Sequence, residues 1–124
     1  MFGFGYFSLR IKIAKVQAEL MAQVHNQQFV NEICQYAETI ELIENLFKSA
    51  YYRKRKDATF LIVCAVLLRT IQNESLPLAT RKSSYNWLKE RYEKIQTDRQ
   101  YCIDNFLLVA DFEYALEDHQ ALSS

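Results

Sequence analysis

Glycine and proline are nearly missing from this chain of 124 residues, which has two glycines, Gly3 and Gly5, and one proline, Pro77. An all-β fold needs turn residues every few positions, so this scarcity excludes one. Long helices need few such residues, and the composition leans all-α. With no glycine after Gly5, there is no glycine-rich loop of the kind that cradles phosphate.

Histidine is scarce too. His25 and His119 are the two present, and both fall where a turn or a tail is expected. A Cys or Ser nucleophile wants a histidine base within hydrogen-bond reach, and neither placement supplies one. Glu32, Glu38, Glu41 and Glu44 are acids at helical spacing. A di-metal carboxylate bundle would pair such acids with Glu-x-x-His on two helices, and that motif is absent. The acids read as a solvated helix face. The sequence implies no catalytic residue, no cofactor and no metal, and the expectation is a protein that is not an enzyme.

An excess of either charge is also lacking, since fifteen basic residues balance fifteen acidic ones. Dedicated nucleic-acid binders carry a basic excess, so nucleic acid is not the favoured partner. Zero net charge gives little colloidal repulsion, which leaves a homodimer or another bound protein open. Cys34, Cys64 and Cys102 are odd in number and widely spaced. They form neither a disulfide framework nor a zinc motif. They read as buried small hydrophobes in a reducing, cytoplasmic setting. The longest apolar run, Phe60 to Leu68, falls well short of the roughly 20 residues a membrane span needs. Residues 1–7 are apolar but lack a charged n-region, so they do not read as a signal peptide.

What is present is apolar periodicity. Half the residues are hydrophobic, enough for a core in one domain over residues 1–124. Leu9, Ile13, Val16, Leu20 and Val24 recur at helical steps, so a helix is expected from about Ser8 to His25. The shorter alternation Leu9, Ile11, Ile13 leaves a strand over 2–13 as the alternative. Phe29, Ile33, Ala37, Ile40, Ile43, Phe47 and Tyr51 mark one amphipathic helix of about six turns. Asp57 sits where an N-cap belongs, ahead of a nearly all-apolar helix, Ala58 to Gln72, expected at the centre. Asn73 to Pro77 reads as a loop, because proline disfavours helix at the preceding residue.

A further helix is expected from Ser83 or Ser84. Its stripe passes through Trp87, Leu88, Ile95, Cys102, Phe106 and Val109, and Thr97 with Gln100 has the spacing of a capping box, which leaves two helices broken near Thr97 as the alternative to one. The chain should fray after Glu117, over 118–124. The expected architecture is a compact bundle of four to five mostly antiparallel helices. Its core would hold Ile40, Ile43, Phe47, Leu61, Ile62, Ala65, Leu68, Trp87, Cys102 and Phe106.

Two segments stand out as candidate partner-binding sites. Tyr51 and Tyr52 precede four consecutive cations, Arg53, Lys54, Arg55 and Lys56. Aromatics beside cations can stack a base and grip phosphate. The plainer reading is a solvated corner whose charges complement a helix C-terminus. Phe4, Tyr6 and Phe7 lie in a flexible or docking N-terminal segment, 1–7, followed by Arg10, Lys12 and Lys15 with no acid before Glu19. Such a segment can insert into a partner's groove or lie on a membrane surface, or cover the protein's own helices.

Tyrosines are abundant, and tyrosine offers large contact area with a polar tip. The favoured expectation is a non-enzymatic protein-interaction module: an inhibitor, immunity-type protein, adaptor or small regulatory subunit. Nucleic-acid binding through 53–56 and peripheral membrane association through the N-terminal segment are the alternatives.

Overall fold

The computed structural model describes the backbone over residues 2–123 and the side chains from Leu9 to Ser123. Among the described residues every regular element is helical. The elements are α1 (Phe2–Val24), α2 (Gln27–Cys34), α3 (Ala37–Lys48), α4 (Ala50–Arg53), α5 (Ala58–Gln72), α6 (Leu78–Ile95), α7 (Arg99–Asp104), α8 (Phe106–Asp118) and a 3-10 turn, Gln120–Ser123. The all-α expectation is met, and the strand alternative for 2–13 is replaced by helix. Eight α-helices stand in place of the four to five expected, because the longer stripes are interrupted.

The stripe that reads as one helix over Phe29–Tyr51 is broken twice. Tyr36 (φ −77°, ψ 129°) and Ser49 (φ −72°, ψ 131°) are both extended, and neither caps the helix after it with a side-chain hydrogen bond. Each passes its carbonyl to the next helix instead, with Ile40 N–H donating to Tyr36 and Arg53 N–H to Ser49. Neither joint carries glycine or proline; Tyr36 gives no signal by residue type, while Ser49 is of a type common at N-caps although its side chain makes no cap hydrogen bond.

Other boundaries follow from local chemistry. α1 ends at His25, whose φ of 56° is left-handed, the usual stop for a helix. Asn26 then caps α2, its side chain accepting from Phe29 N–H at 3.0 Å. α6 starts at Leu78, five residues before the expected Ser83. Proline restricts the residue before it but is pre-set for a helix start, and Arg81 N–H donates to the Pro77 carbonyl. The expected capping box at Thr97 and Gln100 does not form. Asp98 is the cap, accepting from Tyr101 N–H at 3.0 Å, while Thr97 Oγ1 donates back to the Lys94 carbonyl.

By its internal contacts the chain separates into two compact units, Met1–Val66 and Leu67–Ser124, with the division falling inside α5. In the first unit α1, α2 and α3 pack on one another, with α4 against α3. Val16, Leu20, Phe29, Val30, Ile33 and Ile43 are buried there. In the second unit α6 carries α8 and the 3-10 turn, with α7 against α6 and α8. Tyr85, Leu88, Ile95, Val109, Phe112 and Leu122 are buried. Within the segment expected to fray after Glu117, Gln120–Ser123 forms a 3-10 turn with Leu122 buried.

α5 is buried over most of its circumference, from Leu61 to Leu68 with the exception of half-buried Ala65, and again at Thr70 and Ile71. Burying each of its large aliphatic side chains contributes about 1.5–3 kcal/mol, which outweighs the weak helix propensity of Val63 and Val66. In the second unit, Arg81 closes the end of α5. Its Nε and Nη2 donate to the Ile71 carbonyl at 3.0 and 2.8 Å, one of the carbonyls that a helix end leaves without a partner.

Of the expected core, Ile43, Leu61, Ile62 and Leu68 are buried, while Ile40, Phe47, Ala65, Trp87 and Cys102 are half-buried. Phe106 is the clear correction, at 65% exposed. Asn105 (φ −127°, ψ 38°) interrupts the stripe between α7 and α8, and α8 resumes with Val109, Phe112 and Ala115 inward. Phe106 is left on the outer side.

Candidate functional site

Two surfaces carry the residues that could meet a partner. In the first unit, α4 and the turn after it hold Tyr51 to Asp57. The rings of Tyr51 and Tyr52 meet edge to face, with centroids 5.1 Å apart. Arg55 donates from Nε to Asp57 Oδ1 at 2.9 Å and from Nη2 to Oδ2 at 3.1 Å, a two-pronged pair. Its Nη1 donates to the Tyr51 hydroxyl at 3.0 Å, and its guanidinium lies 5.4 Å from the Tyr51 ring centroid.

Asp57, chiefly through that hydrogen bond, raises the Arg55 pKa further above its ordinary range. Arg55 is thus neutralised locally and covers Tyr51. Of the four cations, Arg53, Lys54 and Lys56 stand exposed. The structure brings Tyr51, Tyr52 and Arg55 together as one self-satisfied corner. Phe4, Tyr6 and Phe7 lie in the first turns of α1, and their side chains fall outside the described residues.

In the second unit, the outer side of α7 and α8 is a surface that the sequence reading missed. Ile103 is 58% exposed, Phe106 65%, Leu107 60% and Tyr114 71%. Ala110 is also exposed. On α8, Phe106, Leu107, Ala110 and Tyr114 fall within about 100° of helix circumference at 3.6 residues per turn. They lie opposite the buried side formed by Val109, Phe112 and Ala115. α8 is therefore apolar on both sides, and one of them faces solvent.

Acids border this ridge. Asp104, Asp111, Glu113, Glu117 and Asp118 are all exposed, and no Lys or Arg occurs between Gln100 and Asp118. A usable signal was present in the sequence. A helix apolar all round must either be buried all round or present one face to a partner, and the acids between its apolar residues argue against full burial.

Beside the ridge, α6 and α8 enclose a groove of about 540 Å³ with Lys89, Tyr92, Glu113 and Glu117 on its walls. Tyr85 donates its hydroxyl to the Leu116 carbonyl at 3.0 Å, and Tyr92 donates to Glu113 Oε1 at 2.9 Å. That hydrogen bond, then burial and the charge of Glu113, hold the Tyr92 phenol above its ordinary pKa. Both phenols join helix to helix, so these tyrosines serve the fold.

The thiols are similarly occupied. Cys102 donates to the Ile95 carbonyl at 3.3 Å, Cys64 is fully buried, and burial raises the Cys34 pKa against the opposing pull of Gln17. Among the described residues no group of His, Cys, Asp and Glu could hold a metal ion, and no helix is long and apolar enough to cross a membrane. No protein-family model, curated protein or solved structure matches this chain.

Proposed function

We propose that the chain is a non-enzymatic protein-interaction module, of the inhibitor, immunity-type, adaptor or regulatory-subunit kind, and that the outer side of α7 and α8 is its docking surface. The observation that carries this reading is the exposed ridge Ile103, Phe106, Leu107 and Tyr114. Large exposed apolar side chains gathered on one side of a helix, as Phe106, Leu107 and Tyr114 are on α8, with acids beside them, are characteristic of surfaces that bind other proteins. Helix residues spaced like these are the anchors by which one helix seats in another protein's groove. The acidic border speaks against nucleic acid and anionic lipid as occupants of this face, because both would repel it.

The test is affinity capture of the tagged full chain from its native host, with nuclease, beside the Phe106→Asp/Leu107→Asp variant. Both substitutions fall on exposed positions, and circular dichroism checks that the helices persist. The expected outcome is a protein partner that survives nuclease and is lost with the variant. Equal recovery by both proteins would overturn the ridge as the docking surface. Recovery that collapses on nuclease treatment would turn attention to Arg53, Lys54 and Lys56.

A further inference from the structure

We infer that the α7–α8 ridge docks on α1 of a second copy of this chain; the inference rests on reading the ridge as a docking surface and names its occupant. α1 presents an outer side of a complementary kind. Ile11, Ala14, Ala18 and Ala22 lie along one exposed line, opposite buried Val16 and Leu20. Past Ile11, which is 48% exposed, the three alanines leave the helix surface smooth enough to receive large residues. The ridge supplies large ones, Phe106, Leu107 and Tyr114. On α8 the ridge advances eight positions, from Phe106 to Tyr114, about 12 Å of helix, and it fits within the α1 stripe, which advances eleven positions from Ile11 to Ala22, about 16 Å. Next to Ala18, α1 and α2 border a groove of about 380 Å³, lined by Gln17, Ala18, Met21, Gln27, Val30 and Asn31. Three of these residues are apolar and three are amides, and the groove has room for one ridge side chain.

Charge selects this pairing over the symmetrical one. Ridge against ridge would set five acids on each copy against five on the other, and like charges across an interface are costly. On α1, Arg10 and Lys15 are exposed beside the first half of the small-residue line, and Glu19, half-buried one turn after Lys15, is the one acid in the helix. The basic flank of α1 therefore faces the acidic border of the ridge. Contacts of one surface with a different surface either close on themselves or continue from copy to copy, and both arrangements use this one contact.

The experiment is sedimentation velocity on the purified full chain over rising concentration, with two variants, Phe106→Asp/Leu107→Asp on the ridge and Ala14→Glu/Ala18→Glu on α1. The wild type should associate in the micromolar range, and the association should weaken several-fold when salt is raised. Each variant alone should be a monomer. An equimolar mixture of the two should associate again, because each copy keeps the face that the other has lost.

A wild type that stays monomeric at high micromolar concentration would overturn the inference. So would an α1 variant that associates like wild type, or a mixture that stays monomeric. A monomeric wild type whose Phe106→Asp/Leu107→Asp variant still loses a captured partner would remove the second copy while keeping the ridge as a docking surface. Unchanged capture would remove both.

Discussion

The corner at Tyr51–Asp57 and the ridge on α7 and α8 are opposites in how they use conspicuous residues. The corner has the densest run of charge in the chain, and it turns one of its four cations, Arg55, onto its own neighbours while the other three stay exposed. Arg55 holds Asp57 with two prongs and covers Tyr51. The ridge has no run and no motif, only apolar residues at ordinary helical steps, and it leaves them in water. A charge run draws the eye in a sequence, yet a single nearby acid can neutralise part of it. Exposed apolar area looks like core until the tertiary structure shows which side is covered.

The sharpest way to break this contrast uses two phenylalanines on one helix. Phe112 is fully buried and Phe106 is 65% exposed. Phe112→Ala should cost about 3–5 kcal/mol of stability in urea denaturation, and Phe106→Ala should stay within about 0.5 kcal/mol. Equal losses would show that Phe106 is core after all.

Ile103 stands on α7, whose start is capped by Asp98, so Asp98→Ala, which removes the cap on Tyr101, should cost about 1 kcal/mol. Thr97→Ala, measured by the same melts, should cost clearly less. At the corner, Arg55→Ala should cost about 0.2–1 kcal/mol, as exposed ion pairs do, with the lower end favoured because Asp57 is 40% exposed. Lys54→Ala should leave the melting midpoint unchanged.

The smallest effect concerns Tyr92, which pins Glu113 at the border of the ridge. Its phenol pKa is raised in the folded state above the ordinary 10.0. The stability it contributes is thus fully present below about pH 10 and is lost as pH rises through the raised value. The urea midpoints of wild type and Tyr92→Phe should differ at neutral pH and converge above pH 10. A difference that stays constant with pH would mean that the hydrogen bond to Glu113 is not its source.

Much of the fold was legible in the sequence. The near-absence of glycine and proline, the steps through Leu9 to Val24 and the apolar run after Asp57 each lead to helices that form. The loop before Pro77 and the turn at His25 were also readable. The break at Tyr36 was not, because backbone geometry alone makes it, and the one signal for the break at Ser49 was a serine inside an unbroken apolar stripe. Asp98 was within reach: an Asp beside Thr97 is as good a cap, and the Thr97–Gln100 spacing obscured it.

The candidate site was less legible than the fold. Extending one stripe from Cys102 through Phe106 assumes that α7 and α8 are a single straight helix. Asn105 ends that assumption, with its side chain and backbone N–H both donating to the Tyr101 carbonyl. Past that point the pattern fits two opposite sides of α8, and periodicity does not choose between them.

The way each unit pairs helices that are close neighbours along the chain has a consequence for how fast the molecule forms. α1 meets α2 and α3, and α6 meets α7 and α8, so few contacts within a unit wait on the closure of a long loop. Closing short loops costs little entropy before the contacts repay it, and helical chains built this way fold in microseconds to milliseconds. Each unit therefore draws most of its packing from helices close by in sequence, and the exposed ridge takes no part in that packing.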